Sequence, residues 1–90
     1  MTMTRIAPPY YIQIIPSIQT TSGTNPEIAY QLTPPSGYTK AAAAYCSGQK
    51  NNHFFCYDCY VDSANKLHAQ FHGDESQAGQ FTATFTVFWA

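Results

Sequence analysis

Chemistry in this chain would have to come from a short stretch, Phe54-x-Cys56-x-x-Cys59, followed by His68-x-x-x-His72. Two thiolates and two imidazoles make a good tetrahedral zinc set, and both pair spacings match those of a Cys2His2 finger. The gap between the pairs does not. Eight residues separate Cys59 from His68, where that finger has about twelve, carrying an apolar pattern and a helix. Here the gap holds a turn, Asp62-Ser63-Ala64-Asn65, and the histidines fall in an alternating strand pattern. In a strand, His68 and His72 share a face but stand about 13 Å apart. Cys56 and Cys59, at an odd offset, point to opposite faces unless a bulge intervenes. The residues therefore predict no metal and no cofactor, with a small Cys/Cys/His/His zinc module as the alternative function.

Other candidates are weaker. A Cys–His nucleophile pair has no strand-to-helix elbow or oxyanion-forming glycine turn to support it. The five glycines sit singly in turns, so no phosphate-binding loop is present. Cys46 could reach Cys56 or Cys59 across neighbouring strands. With no signal-peptide pattern at the N-terminus, a reducing cytoplasm and free thiols are expected. No catalytic residue is assigned, and the protein is expected not to be an enzyme.

The elements that would position these residues are strands. Phe81 to Ala90 alternates Phe81, Ala83, Phe85, Val87 and Trp89 against three threonines and Phe88. Period two in aromatic and β-branched residues predicts a strand with one buried face. Earlier strands are predicted over Tyr10 to Ile15, closed by Pro16, and over Glu27 to Thr33. Two more follow over His53 to Val61 and Lys66 to His72, where Leu67, Ala69 and Phe71 face inward. Ala41 to Cys46 reads as a further strand of small side chains, with one or two turns of helix as the alternative. Residues 1–9, ending in Ala7-Pro8-Pro9, read as an arm or linker, and 10–90 as one domain. The expected fold is all-β: an antiparallel, jelly-roll-like β-sandwich of about six strands.

Composition narrows the partners. Four Lys and Arg stand against five Asp and Glu, while fourteen of ninety residues are aromatic. Net charge near −1 argues against nucleic acid, whose binding rests on basic side chains. No apolar run approaches the roughly 20 residues of a membrane span. The strand over residues 53–61 is apolar on both faces, and so asks for cover on both sides, from a second chain or from its own loops. Self-association is therefore expected through Tyr10, Tyr11, Phe54, Tyr60 and Phe88.

The order of features from residue 12 onward resembles the C-terminal β-sandwich domain of bacteriophage tail-fibre and baseplate appendage proteins. The matching pieces are an early apolar strand, the loop Ser22-Gly23-Thr24-Asn25-Pro26 and the turn Pro35-Ser36-Gly37-Tyr38-Thr39. A small-residue strand, a hairpin over residues 51–73 and a closing Thr/aromatic strand complete it. The run of alanines and the three cysteines depart from that pattern. The resemblance implies a homotrimer in the virion, made in the bacterial cytoplasm and attaching to a host surface, often by binding carbohydrate. If the strands alternate up and down, loops 16–26, 47–52 and 73–79 share the end away from the N-terminal arm. Asn25, Gln49, Lys50, Asn51, Asn52, His53, Asp74 and Glu75 are then the candidate ligand-binding residues, suited to a cell-surface glycan by hydrogen-bonding character.

Overall fold

The structure, a computed structural model, describes residues 11–90; the arm over 1–9 and Tyr10 lie outside the described residues. Six strands run in order: β1 (Tyr11–Gln19), β2 (Glu27–Gln31), β3 (Ala41–Gln49), β4 (Phe54–Val61), β5 (Lys66–Gly73) and β6 (Thr82–Trp89). One 3-10 turn, Glu75–Gln77, precedes β6. The strands form two three-stranded sheets, β1-β6-β3 and β2-β5-β4, with every pairing antiparallel. The protein is an all-β antiparallel sandwich.

The alternation in β6 explains the core. Phe81, Ala83, Phe85, Val87 and Trp89 are all buried, and from the facing sheet Leu67, Ala69, Phe71 and Ile28 meet them. β6 and β5 are the central strands, so the two most regular apolar patterns occupy the two best-covered positions. Phe81 ties the layers together: its ring lies 5.1 Å from Phe54 and 5.1 Å, edge-on, from Phe71. Such aromatic pairs add about 0.5–1.5 kcal/mol beyond their area burial.

The alanine segment is a strand, and it is longer than its alanines. Only Ala41 of the four is buried; Ala44 packs at the core margin, while Ala42 and Ala43 are exposed. Two register shifts against β6, between Ala41 and Ala43 and between Cys46 and Gly48, let it curve along its partner.

Three sequence expectations are corrected. β1 does not stop at Pro16. An edge strand tolerates a proline, and the register against β6 shifts between Ile15 and Ile18, with Ser17 at φ 60. Ile18 thereby returns to the core and the strand reaches Gln19. β4 has a bulge between Cys56 and Asp58. It carries Phe54, Cys56, Cys59 and Val61 inward, opposite Gly73, Phe71, Ala69 and Leu67, and leaves Phe55, Asp58 and Tyr60 outward. Phe54, expected at an interface between chains, is therefore a core residue at 3% exposure.

The two ends of the sandwich are tied differently. At one end the Thr20 N–H donates to the Phe81 carbonyl, and the buried Thr20 hydroxyl accepts from the Phe81 N–H. At the other end Asn65 is the hub. Its carbonyl accepts from Leu32 N–H, its Oδ1 accepts from Ala41 N–H, and its Nδ2 donates to the Thr39 carbonyl. It does this from a left-handed backbone, φ 61, which asparagine tolerates better than alanine does. Asn65→Ala should lose roughly 2–4 kcal/mol, from two side-chain bonds plus the backbone penalty. Urea denaturation of the variant measures this, and a loss under half a kcal/mol would remove Asn65 from the role of hub.

Candidate functional site

Antiparallel alternation places the loops 20–26, 50–53 and 74–81 at one end. Backbone bonds stitch them: Thr21 N–H to Glu27 O, Gly73 N–H to Thr24 O, Asp74 N–H to His53 O and Lys50 N–H to Thr82 O. Between them lies an open hollow of about 540 Å³ lined by Gln19, Lys50, Asn51, Asn52, His53, Gln77, Gln80, Phe81 and Thr82. Four of the eight sequence-derived binding residues, Lys50, Asn51, Asn52 and His53, therefore line one hollow.

The other four do not line it. Gln49 turns its amide back onto the loop, donating to the Asn51 and Phe54 carbonyls. Asn25 holds the His72 ring through its Oδ1, 2.9 Å from Nδ1. Asp74 caps the 3-10 turn, accepting from the Ser76 N–H at 2.9 Å and its hydroxyl at 2.8 Å. Those two bonds hold the Asp74 carboxyl below its ordinary value. Glu75 follows in that turn. Asn51 has a structural duty as well, accepting from the His53 N–H.

The remaining lining residues are Gln77, which lies in the predicted loop 73–79, and Gln19, Gln80, Phe81 and Thr82, which sequence reasoning missed. Gln19 falls in the predicted loop 16–26 but is the last residue of β1, and its amide donates to Gln80 at 3.1 Å. Phe81 supplies an aromatic ring beside that of His53. Neutral amides around an apolar edge can bind a polar, uncharged molecule, with Lys50 adding one cation.

The cysteines and histidines separate. The β4 bulge turns Cys56 and Cys59 to the same, inner face, while His68 and His72 point outward from β5. His68 Nε2 lies 2.8 Å from Asp62 Oδ2 and its ring stacks on Tyr60 at 4.8 Å. This bond, with backbone N–H groups of Lys66 and Ala64, holds the Asp62 carboxyl below the usual carboxylate range. The sheet thus stands between the two halves of the proposed zinc set. Among the described residues no group of three or more His, Cys, Asp or Glu has the arrangement of a metal site.

Both outer sheet faces carry exposed apolar side chains. On β1-β6-β3, Ile12 is paired with Phe88 and Ile14 with Thr86, while Ala43 and Tyr45 approach from the other side. Ile12, Ile14 and Tyr45 are 60%, 55% and 49% exposed, and Tyr45 stacks on Phe88 at 6.0 Å. On β2-β5-β4 the exposed rings are Phe55, Tyr57 and Tyr60, with Tyr57 donating to Gln70 at 3.0 Å. Phe88 and Tyr60 therefore lie on opposite outer faces. Tyr11, paired with Trp89, sits at the mouth of the sandwich, its ring 5.6 Å from Tyr38.

Fold and surface together define a small antiparallel β-sandwich with apolar outer faces and a polar hollow at one end. Among protein families, curated proteins and solved structures, none matches this chain.

Proposed function

We propose that the protein is a non-catalytic assembly and attachment module. Copies associate through the outer face of the β1-β6-β3 sheet, and the hollow between the loops is presented to a polar, uncharged ligand of the carbohydrate kind. The observation that carries this reading is the row Ile12, Ile14, Phe88 and Tyr45 on an outer sheet face. Apolar surface of that continuity on a small domain marks an interface. β1 is in addition an edge strand, whose free backbone groups invite pairing with another chain.

The likeness of the strand order to phage tail-appendage domains supplies the setting: a trimer in a virion, with the hollow turned toward the host surface. Lys50, Asn52, His53 and Gln77 would make the polar contacts there.

Light scattering on the chromatographed protein tests the association. The wild type should run as an oligomer at micromolar concentration, and Ile12→Lys/Ile14→Lys as a folded monomer with unchanged circular dichroism. A monomeric wild type overturns the assembly half of the reading. A glycan array tests the other half: signal lost in His53→Ala and Asn52→Ala supports it, and silence in the oligomeric wild type overturns ligand binding.

A further inference from the structure

The three cysteines have no part in that reading, yet the fold brings them together. Cys46 lies on the inner face of β3, paired with Phe85. Cys56 and Cys59 lie on the inner face of β4 because of the bulge at Tyr57. β3 and β4 are edges of opposite sheets, and their Cα atoms approach within 8 Å. At this flank the sandwich narrows. The three thiols are close enough to influence one another electrostatically, Cys46 on Cys56 and both on Cys59. All three are free, half-buried thiols. They line an open hollow of about 400 Å³ with Tyr45, Tyr57 and Asp58, so a small reagent can enter.

We propose that Cys46 and Cys56 are an oxidisable pair, closing into a disulfide that joins the two sheets across this flank. The oxidant is a small-molecule disulfide of the glutathione class. One of the two cysteines, as thiolate, attacks a sulfur of that disulfide and expels one small thiolate. The second cysteine attacks the mixed disulfide and expels the other. The balance is two protein thiols and one small disulfide giving one protein disulfide and two small thiols, which carry away both protons. The protein pair is oxidised and the small disulfide reduced.

Geometry selects this pair. Cys56 and Cys59 sit opposite Phe71 and Ala69, two residues or about 7 Å apart along one strand, with parallel side chains, whereas a disulfide needs Cβ atoms within about 4.5 Å. The Cys59 thiol is pushed up to about 12, first by burial and then by its neighbours Cys56 and Cys46. It is the least ready of the three to react as thiolate. Cys46 and Cys56 are also raised by burial. Their thiols donate to the Gly48 carbonyl at 3.5 Å and the Asp58 carbonyl at 3.4 Å.

The chain's few basic residues make the test simple. Trypsin, cutting after Lys40, Lys50 and Lys66, puts Cys46 in peptide 41–50 and Cys56 with Cys59 in peptide 51–66. The protein is treated with oxidised glutathione at about pH 8.5, near the ordinary thiol pKa. Expected results are one remaining alkylatable thiol, peptides 41–50 and 51–66 joined, and fragment ions placing the link at Cys56. The melting temperature should rise by roughly 5–15 °C and fall back on reduction. Cys59→Ser should oxidise like the wild type, and Cys46→Ser should yield no intramolecular link. A link within 51–66, a link to Cys59, or only glutathione adducts and chain-to-chain bridges would each overturn the proposal.

Discussion

Replacing Trp89 with alanine should lower the melting temperature by roughly 12–40 °C. Trp89 is 0% exposed and the largest side chain in the core. It lies on the central strand of its sheet, paired with Tyr11 on one side and Ala41 on the other. Truncating a buried tryptophan costs about 3–5 kcal/mol, because the surroundings close only partly over the cavity. A ninety-residue domain has roughly 5–13 kcal/mol in all, so the loss takes a large share of it. The alanines make this site worse than average. Ala41, beside Trp89, has only a methyl group, too short to move into the space. The indole also donates to Gln13 Oε1 at 2.8 Å, so Trp89→Phe keeps most of the volume but strands that acceptor. Trp89→Phe should lose roughly 1–3 kcal/mol, and adding Gln13→Leu should recover part of it. Circular dichroism during denaturation is the readout, since Trp89 is the single tryptophan and its fluorescence goes with it. A Trp89→Ala protein that melts within a few degrees of the wild type would contradict the packing described.

What the sequence disclosed followed from period. β5 and β6 were legible residue by residue, because central strands with one buried face alternate strictly. Where the chain bulges, alternation misleads. In β4 the extra residue at Tyr57 inverts the first half of the strand, so Phe54 and Cys56 exchange faces with Phe55. Both faces are apolar there, and no hydrophobic pattern marks the slip. Pro16 was misleading for a related reason: it ends a central strand but not an edge one, and sequence does not say which strand is the edge. The loop end was legible in outline from the up-down count of strands. Which loop side chains point into the hollow was not. Asn25, Gln49 and Asp74 are the same kinds of residue as Asn52 and Gln77, but they are committed to His72, the loop carbonyls and the Ser76 turn. Such commitments depend on contacts between residues up to 47 positions apart.

Gly73→Ala should be the most damaging single-methyl change in the chain, for a reason unrelated to glycine's backbone freedom. Gly73 ends β5 directly opposite Phe54, and a Cβ there would overlap the Phe54 ring at Cγ, Cδ1 and Cε1. An aromatic ring laid over a glycine on the neighbouring strand is a recurring way to cover such a position. The ring cannot simply swing aside, because it is stacked on Phe81, which is itself wedged edge-on against Phe71. Overpacking of this kind costs about 1–3 kcal/mol and occasionally more. It should also reach the hollow: Phe81 lines it, and Gly73 N–H and Asp74 N–H anchor the loops at Thr24 and His53. A double-mutant cycle isolates the clash. Phe54→Ala alone should cost about 3–5 kcal/mol, but with the ring gone, Gly73→Ala should add little. The two changes together should therefore be less destabilising than their sum by roughly 1–3 kcal/mol. Strict additivity would mean that the Phe54 ring does not cover Gly73. A coupling of the expected sign would make this pair the point where the cross-strand packing of β4 on β5 holds the loop end in shape.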